Sequence, residues 1–187
     1  MAKQLDRVLV IDVESTCWDT RPPPGQISEI IEIGICTVDL ASLERRDKQT
    51  IFVKPAQSEI SQFCTDLTGI TARMVEAGVS LSDACEALTT QYASRERLFA
   101  SWGDYDRGQF QRNCRHYNLD YPFGPTHLNV KNLFSLGFGL ARELGIDGAF
   151  DRLGLTMEGT HHRGIDDAWN IAHLLCLLLK RMRRGEM

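Results

Sequence analysis

His161-His162-Arg163-Gly164-Ile165-Asp166-Asp167-Ala168-Trp169-Asn170 opens a helical pattern in which Ile165, Ala168, Ile171, Ala172, Leu175, Leu178, Leu179 and Met182 recur on one face. A helix beginning near Gly164 carries Asp167 in its first turns and His162 on its lead-in, so both can project into one cleft. His161 and Asp166 have the same separation, and spacing alone does not choose between the two pairs. A lone His-x4-Asp says little, because acids favour helix starts for dipole reasons. Its meaning depends on where the other carboxylates fall.

Working outward, Val8-Leu9-Val10-Ile11 is a β-branched run that continues into Asp12-Val13-Glu14. Strand side chains alternate, so Asp12 and Glu14 share a face at the strand's end. Residues 15–28, with Pro22-Pro23-Pro24-Gly25 inside, read as a loop. The run 30–38 is too apolar on both faces for a surface strand and predicts a central one. Residues 50–53 form a third strand stopped by Pro55, and residues 97–101 and 126–130 form a fourth and a fifth.

Helical patterns fall between these strands. Residues 71–76 make a short helix closed by Gly78, and Ser80-x-x-Asp83 resembles a capping box before a stripe of Leu81, Ala84, Leu88 and Tyr92. Asp106, Phe110, Cys114 and Tyr117 place an acid at the start of an otherwise apolar helix face. Further helical material spans about 134–144 and 149–153. The order predicts an α/β fold in one domain over residues 1–187.

Composition narrows the setting. With 187 residues and 43% hydrophobic content, the chain is long enough for a full core. No apolar run approaches the roughly 20 residues of a membrane span, and the N-terminus lacks a signal-peptide pattern. The six cysteines (17, 36, 64, 85, 114 and 176) are scattered without C-x-x-C or zinc spacing, as expected of reduced cysteines in a cytoplasmic protein. A net charge of −4 argues against a basic nucleic-acid coat, yet metal ions in a site can cancel phosphate charge locally.

Asp12, Glu14, Asp106 and Asp167, with one histidine, thus sit at strand ends and helix starts, where open α/β sheets build their sites. Crowded carboxylates repel and call for cations or raised pKa values. Hard ions with oxygen ligands suit such a set. Two of them about 3.5–4 Å apart can clamp the attacking and leaving oxygens of a phosphodiester. A neutral histidine alongside, with its ordinary pKa of about 6.5, can take a proton from the attacking water.

Asp12-Val13-Glu14, Gly103-Asp104-Tyr105-Asp106 and His162-x4-Asp167 resemble the three motifs of the DEDD exonuclease superfamily in its histidine-containing DEDDh branch. The likeness runs from about residue 6 to 182. Asp-Val-Glu-Ser-Thr-Cys at 12–17, Leu-Thr-Gly-Ile at 67–70 and the segment 162–172 are similar to exoribonucleases that trim histone mRNA, ribosomal RNA and small interfering RNA 3′ ends.

The resemblance implies a ribonuclease-H-like fold, a five-stranded mixed sheet flanked by helices, and two divalent cations, Mg²⁺ or Mn²⁺. It also implies release of nucleoside 5′-monophosphates from RNA with a free 3′ end. By the same resemblance Asp12, Glu14, Asp106 and Asp167 hold metal and His162 is the general base. Asp106 is preferred to Asp104 because Phe110 follows it, and Arg163 to Ala168 selects His162 and Asp167. Backbone groups at Ser15, Thr16 and Cys17 are expected to recognise the terminal 3′ end, and Trp18 and Trp102 to stack on its base. The alternatives are single-stranded DNA as substrate, or a catalytically silent nucleic-acid or partner-binding module of the same fold. No membrane partner is expected, and the basic residues at 180–184 read as ordinary helix-end cations.

Overall fold

A computed structural model describes residues 3–185. Five strands form one mixed sheet: β1 (Gln4–Ser15), β2 (Ile30–Asp39), β3 (Glu44–Phe52), β4 (Arg97–Ser101) and β5 (His127–Asn129), in the order β3-β2-β1-β4-β5. The first three are antiparallel neighbours, whereas β4 runs parallel to β1 and β5 parallel to β4.

Alternation along β1 decides where the chemistry lies. Val8 and Val10 face the cluster built with Phe134, Phe150 and the last helix, whereas Ile11 and Val13 face the opposite cluster with Leu88 and Phe110. Asp12 and Glu14 therefore continue the Val8–Val10 face. Their partners across the ladder, Gly34 and Glu32, share it. The pairing with β4 ends at Val10↔Ala100, so both acids lie beyond the end of that neighbour.

Among the described residues, seven helices cover the sheet: α1 (Gln62–Thr68), α2 (Ala72–Glu76), α3 (Leu81–Tyr92), α4 (Tyr105–His116), α5 (Val130–Gly137), α6 (Ile146–Leu153) and α7 (Gly164–Arg184). Buried residues of α5, α6 and α7 pack on one face, those of α3 and α4 on the other. β2 is buried along nearly its whole length, as its two-sided apolar pattern requires. Ser80 caps α3 by accepting the Asp83 amide at 3.1 Å, and its hydroxyl donates to the Asp83 carboxylate at 2.8 Å in place of the backbone bond of a full capping box.

Three expectations are corrected. β3 begins at Glu44 rather than Thr50, because its charged residues Arg45 to Lys48 ride a sheet edge where solvent tolerates them. α1 had no counterpart in the sequence reading, although Ser61 caps it by accepting from the Cys64 amide and Gly69 closes it in the left-handed region. α5 starts at Val130, ends at Gly137 and is followed by Gly139 at φ +60°, so the expected helix over 134–144 is a turn and loop in its second half. Among the described residues, no helix is long and apolar enough to cross a membrane.

Candidate active site

Three segments deliver the carboxylates. β1 carries Asp12 and Glu14, the turn into α4 brings Asp106, and the first turn of α7 brings Asp167. All four line a cleft of about 280 Å³ together with His161, His162 and Trp102. Carboxylate oxygens of Asp12, Glu14 and Asp167 lie within 4.8 Å of one another. Asp106 is 3% exposed and accepts the Val13 amide at 2.9 Å, which fixes it between the two β1 acids.

The competing candidates separate in space. Asp104 faces His127 at 3.5 Å and accepts from Asn129 Nδ2 at 3.1 Å, outside the cleft lining. Asp166 pairs with Lys48 at 2.6 Å and accepts the Thr160 amide. His161 and His162 both line the cleft, with ring centroids 4.0 Å apart. His161 Nδ1 lies 3.1 Å from both oxygens of Asp167, and the His162 amide donates to Asp167 Oδ2 at 2.8 Å.

Of the expected substrate contacts, Trp102 alone is among the residues lining the cleft. Its indole N–H donates to the Leu144 carbonyl at 3.1 Å, bracing the loop before α6. Thr16 is fully buried: its amide donates to the Glu29 carbonyl, and its hydroxyl donates to the Ile27 carbonyl and accepts the Glu29 amide. The Cys17 carbonyl accepts the Ser61 hydroxyl at 2.6 Å. Ser15 is buried, and Trp18 is half-buried outside the cleft lining. Tyr105 and the α6 start at Gly145 to Asp147, unanticipated, also line the cleft.

Glu32 is the other residue that sequence reasoning missed. It is fully buried and accepts Arg163 Nε at 3.2 Å, Arg163 Nη2 at 3.1 Å, the Gly164 amide at 3.0 Å and the Thr50 hydroxyl. One carboxylate thus ties the start of α7 to the centre of the sheet. A signal existed: a carboxylate inside the apolar run 30–38 must find a partner when buried, and Arg163 adjoins His162. The docking is close. A Cβ on Gly34 would stand 1.9 Å from the Gly164 carbonyl carbon, so glycine is required where α7 crosses β2.

Charge follows from this crowding. Burial, then Asp106, Glu14 and Asp167, raise the Asp12 pKa well above the carboxylate range. Glu14 is pushed up to about 9 by burial and then by Asp167 and Glu32, and Asp106 to about 6 mainly by burial. Among the described residues, no lysine or arginine lines the cleft. Crowded, partly buried carboxylates, with Arg163 offsetting only part of the charge on Glu14, form an oxygen donor set that fits hard divalent ions.

Metal-free stability should report this directly. An acid whose folded pKa exceeds its unfolded value binds more protons when folded, so stability falls as pH rises between the two values. For Glu14 that window runs from 4.5 to about 9, and for Asp106 from 3.8 to about 6. We expect the Tm of chelator-treated protein to fall from about pH 5 to about pH 9, with Mn²⁺ raising Tm more at the alkaline end. Thermal melts that stay flat across this range, with or without Mn²⁺, would contradict the crowded cluster.

The RNase_T profile, described as Exonuclease, matches residues 9–175, and the chain belongs to that family. It is 27% identical over 195 residues to the 3′-5′ exonuclease Snipper of Drosophila melanogaster, spanning 92% of this chain and 69% of that one. It is 27% identical over 185 residues to 3′-5′ exoribonuclease 1 of Rattus norvegicus, covering 94% of this chain but 53% of the relative. The chain therefore spans about half the length of that relative. Among solved structures, the nuclease domain of 3′hExo, described as a DEDDh family member bound to rAMP, aligns with a TM-score of 0.84 at 24% identity. That match covers 100% of this chain and 97% of the other, and the ribonuclease-H-like fold is shared.

Proposed function

We propose that this chain is a divalent-cation-dependent 3′-to-5′ exoribonuclease that acts as one domain and releases nucleoside 5′-monophosphates. The observation that carries the reading is the convergence of Asp12, Glu14, Asp106, Asp167 and His162 on one cleft beyond the end of β4. The names of both relatives support the 3′-to-5′ polarity, and that of the Rattus norvegicus exoribonuclease supports the RNA preference. Asp12, Glu14, Asp106 and Asp167 would hold two ions, Mg²⁺ or Mn²⁺. When bound, such ions neutralise the carboxylates and the scissile phosphate and polarise the attacking water.

The chain's own residues supply the remaining work. His162 is kept neutral near physiological pH by burial and by the adjacent His161, which lower its pKa, so a ring nitrogen is free to take the proton of the attacking water. The water oxygen bonds to phosphorus as the bond to the 3′ oxygen of the penultimate nucleotide breaks. Trp102 and Tyr105 on the cleft wall offer faces for the terminal base. Ser15 directly follows Glu14, and the Cys17 carbonyl that accepts the Ser61 hydroxyl anchors the segment leaving β1. Six free cysteines, five of them buried, support a reducing, cytoplasmic setting.

Replacing each histidine separates their roles. His162→Ala should lower kcat by about 10²-fold or more, the range of a lost general base, with His161→Ala costing less than about tenfold. Equal losses would refute the assignment of the base. The substrate reading is tested with matched RNA and DNA strands ending in a 3′ hydroxyl or a 3′ phosphate. We expect RNA with a free 3′ hydroxyl to be shortened fastest. Faster loss of the DNA strand would move the substrate to single-stranded DNA, and binding without cleavage in any cation would identify a silent module.

A further inference from the structure

We propose that His161, His162 and Asp167 form a second metal site at the mouth of the cleft, suited to a borderline ion such as Zn²⁺, whose occupancy stops cleavage. Ligand atoms of these three residues lie within 4.8 Å of one another. His161 Nδ1 stands 3.1 Å from each Asp167 oxygen. A tetrahedral ion with bonds of about 2.0–2.1 Å needs neighbouring donors about 3.3 Å apart, so this pair is already near the required separation.

The backbone brings the two imidazoles together. Successive side chains of an extended segment diverge, yet His161 and His162 stack at 4.0 Å with planes 23° apart. The cause is a left-handed φ of +64° at His162, a conformation that disfavours a histidine by about 1–2 kcal/mol. Its amide bond to Asp167 Oδ2 at 2.8 Å holds that turn and also orients the shared carboxylate. The His161 side chain is 41% exposed, which leaves an entry path and room for a water as fourth ligand.

Donor chemistry divides the cleft into two overlapping sets. Asp12, Glu14 and Asp167 offer only oxygen, which suits Mg²⁺ and Mn²⁺, whereas two imidazoles and a carboxylate suit Zn²⁺. Asp167 belongs to both sets. Zn²⁺ on the histidine side therefore withdraws a carboxylate from the hard ions and occupies the nitrogen of His162 that would accept the water proton. The binding half of the proposal stands on geometry alone, and the inhibitory half rests on the exonuclease reading above.

The test is a Zn²⁺ titration of metal-free protein against a chromophoric chelator, paired with RNA cleavage in Mn²⁺ at increasing Zn²⁺. Wild type and Asp12→Ala should both bind Zn²⁺ tightly, because the latter keeps all three donors. His161→Ala and His161→Gln should bind at least about tenfold more weakly and need correspondingly more Zn²⁺ to inhibit cleavage. Thermal melts check that the variants fold. Equal affinity in wild type and both His161 variants, or loss of affinity in Asp12→Ala, would overturn the site. Intact Zn²⁺ binding without any Mn²⁺-supported cleavage would overturn the inhibitory half while marking failure of the exonuclease reading itself.

Discussion

Asp12→Ala is expected to abolish cleavage, with kcat falling by about three orders of magnitude or more, while the fold survives. Loss of one member of a charge-stabilising set removes several kcal/mol of transition-state stabilisation, and about 4 kcal/mol corresponds to that factor. Stability should move the other way. Asp12 is half-buried beside Asp106, Glu14 and Asp167, all of which raise its pKa, so removing its carboxyl relieves repulsion in the metal-free protein. Thermal melts in chelator at about pH 8 should show the variant at or above the wild-type Tm. A variant that still trims RNA, or one that melts well below wild type, would contradict the assignment of Asp12 to a crowded cation-holding cluster.

Gly34→Ala should give the largest loss of stability among single-methyl additions, more than about 3 kcal/mol, at the upper end of overpacking effects. The new methyl would fall 1.9 Å from both the carbonyl carbon and the oxygen of Gly164 and 2.3 Å from the Ile165 nitrogen. These are backbone atoms of the first turn of α7, so relief requires the helix to withdraw from the sheet. Withdrawal separates Asp167 and His162 from Asp12 and Glu14, so activity should fall with stability. Gly164→Ala is the milder control, because its nearest atoms stand at 3.0 and 3.1 Å. Denaturant midpoints rank the two variants; a Gly34→Ala protein as stable as wild type would mean that α7 does not dock on β2 as described.

The parts of the site carried by periodicity were legible in the chain. Asp-Val-Glu at the end of an apolar run puts two acids on one face of a strand, and the helical pattern after Gly164 puts Asp167 on the side facing the sheet. Asp106 was readable as the single acid opening an apolar face. Contacts between distant segments were not. Nothing local links Glu32 to Arg163, 131 residues away, and the pairing became necessary only once β2 was buried on both faces. The His161 bond to Asp167 was equally hidden, because spacing alone does not say which of two adjacent histidines meets that acid. β3 misled in the opposite direction: charges that suggest a loop are compatible with a strand at the edge of a sheet.

The most direct measurement is a time course on 5′-labelled RNA with a single-stranded 3′ end, in Mn²⁺, Mg²⁺ or chelator, beside Asp12→Ala. We expect a ladder that shortens one nucleotide at a time from the 3′ end, release of nucleoside 5′-monophosphates, and no change in chelator or in the variant. Internal cleavage, products bearing 3′ phosphates, or shortening that persists in chelator or in Asp12→Ala would contradict a carboxylate-held, cation-dependent 3′-to-5′ exonuclease.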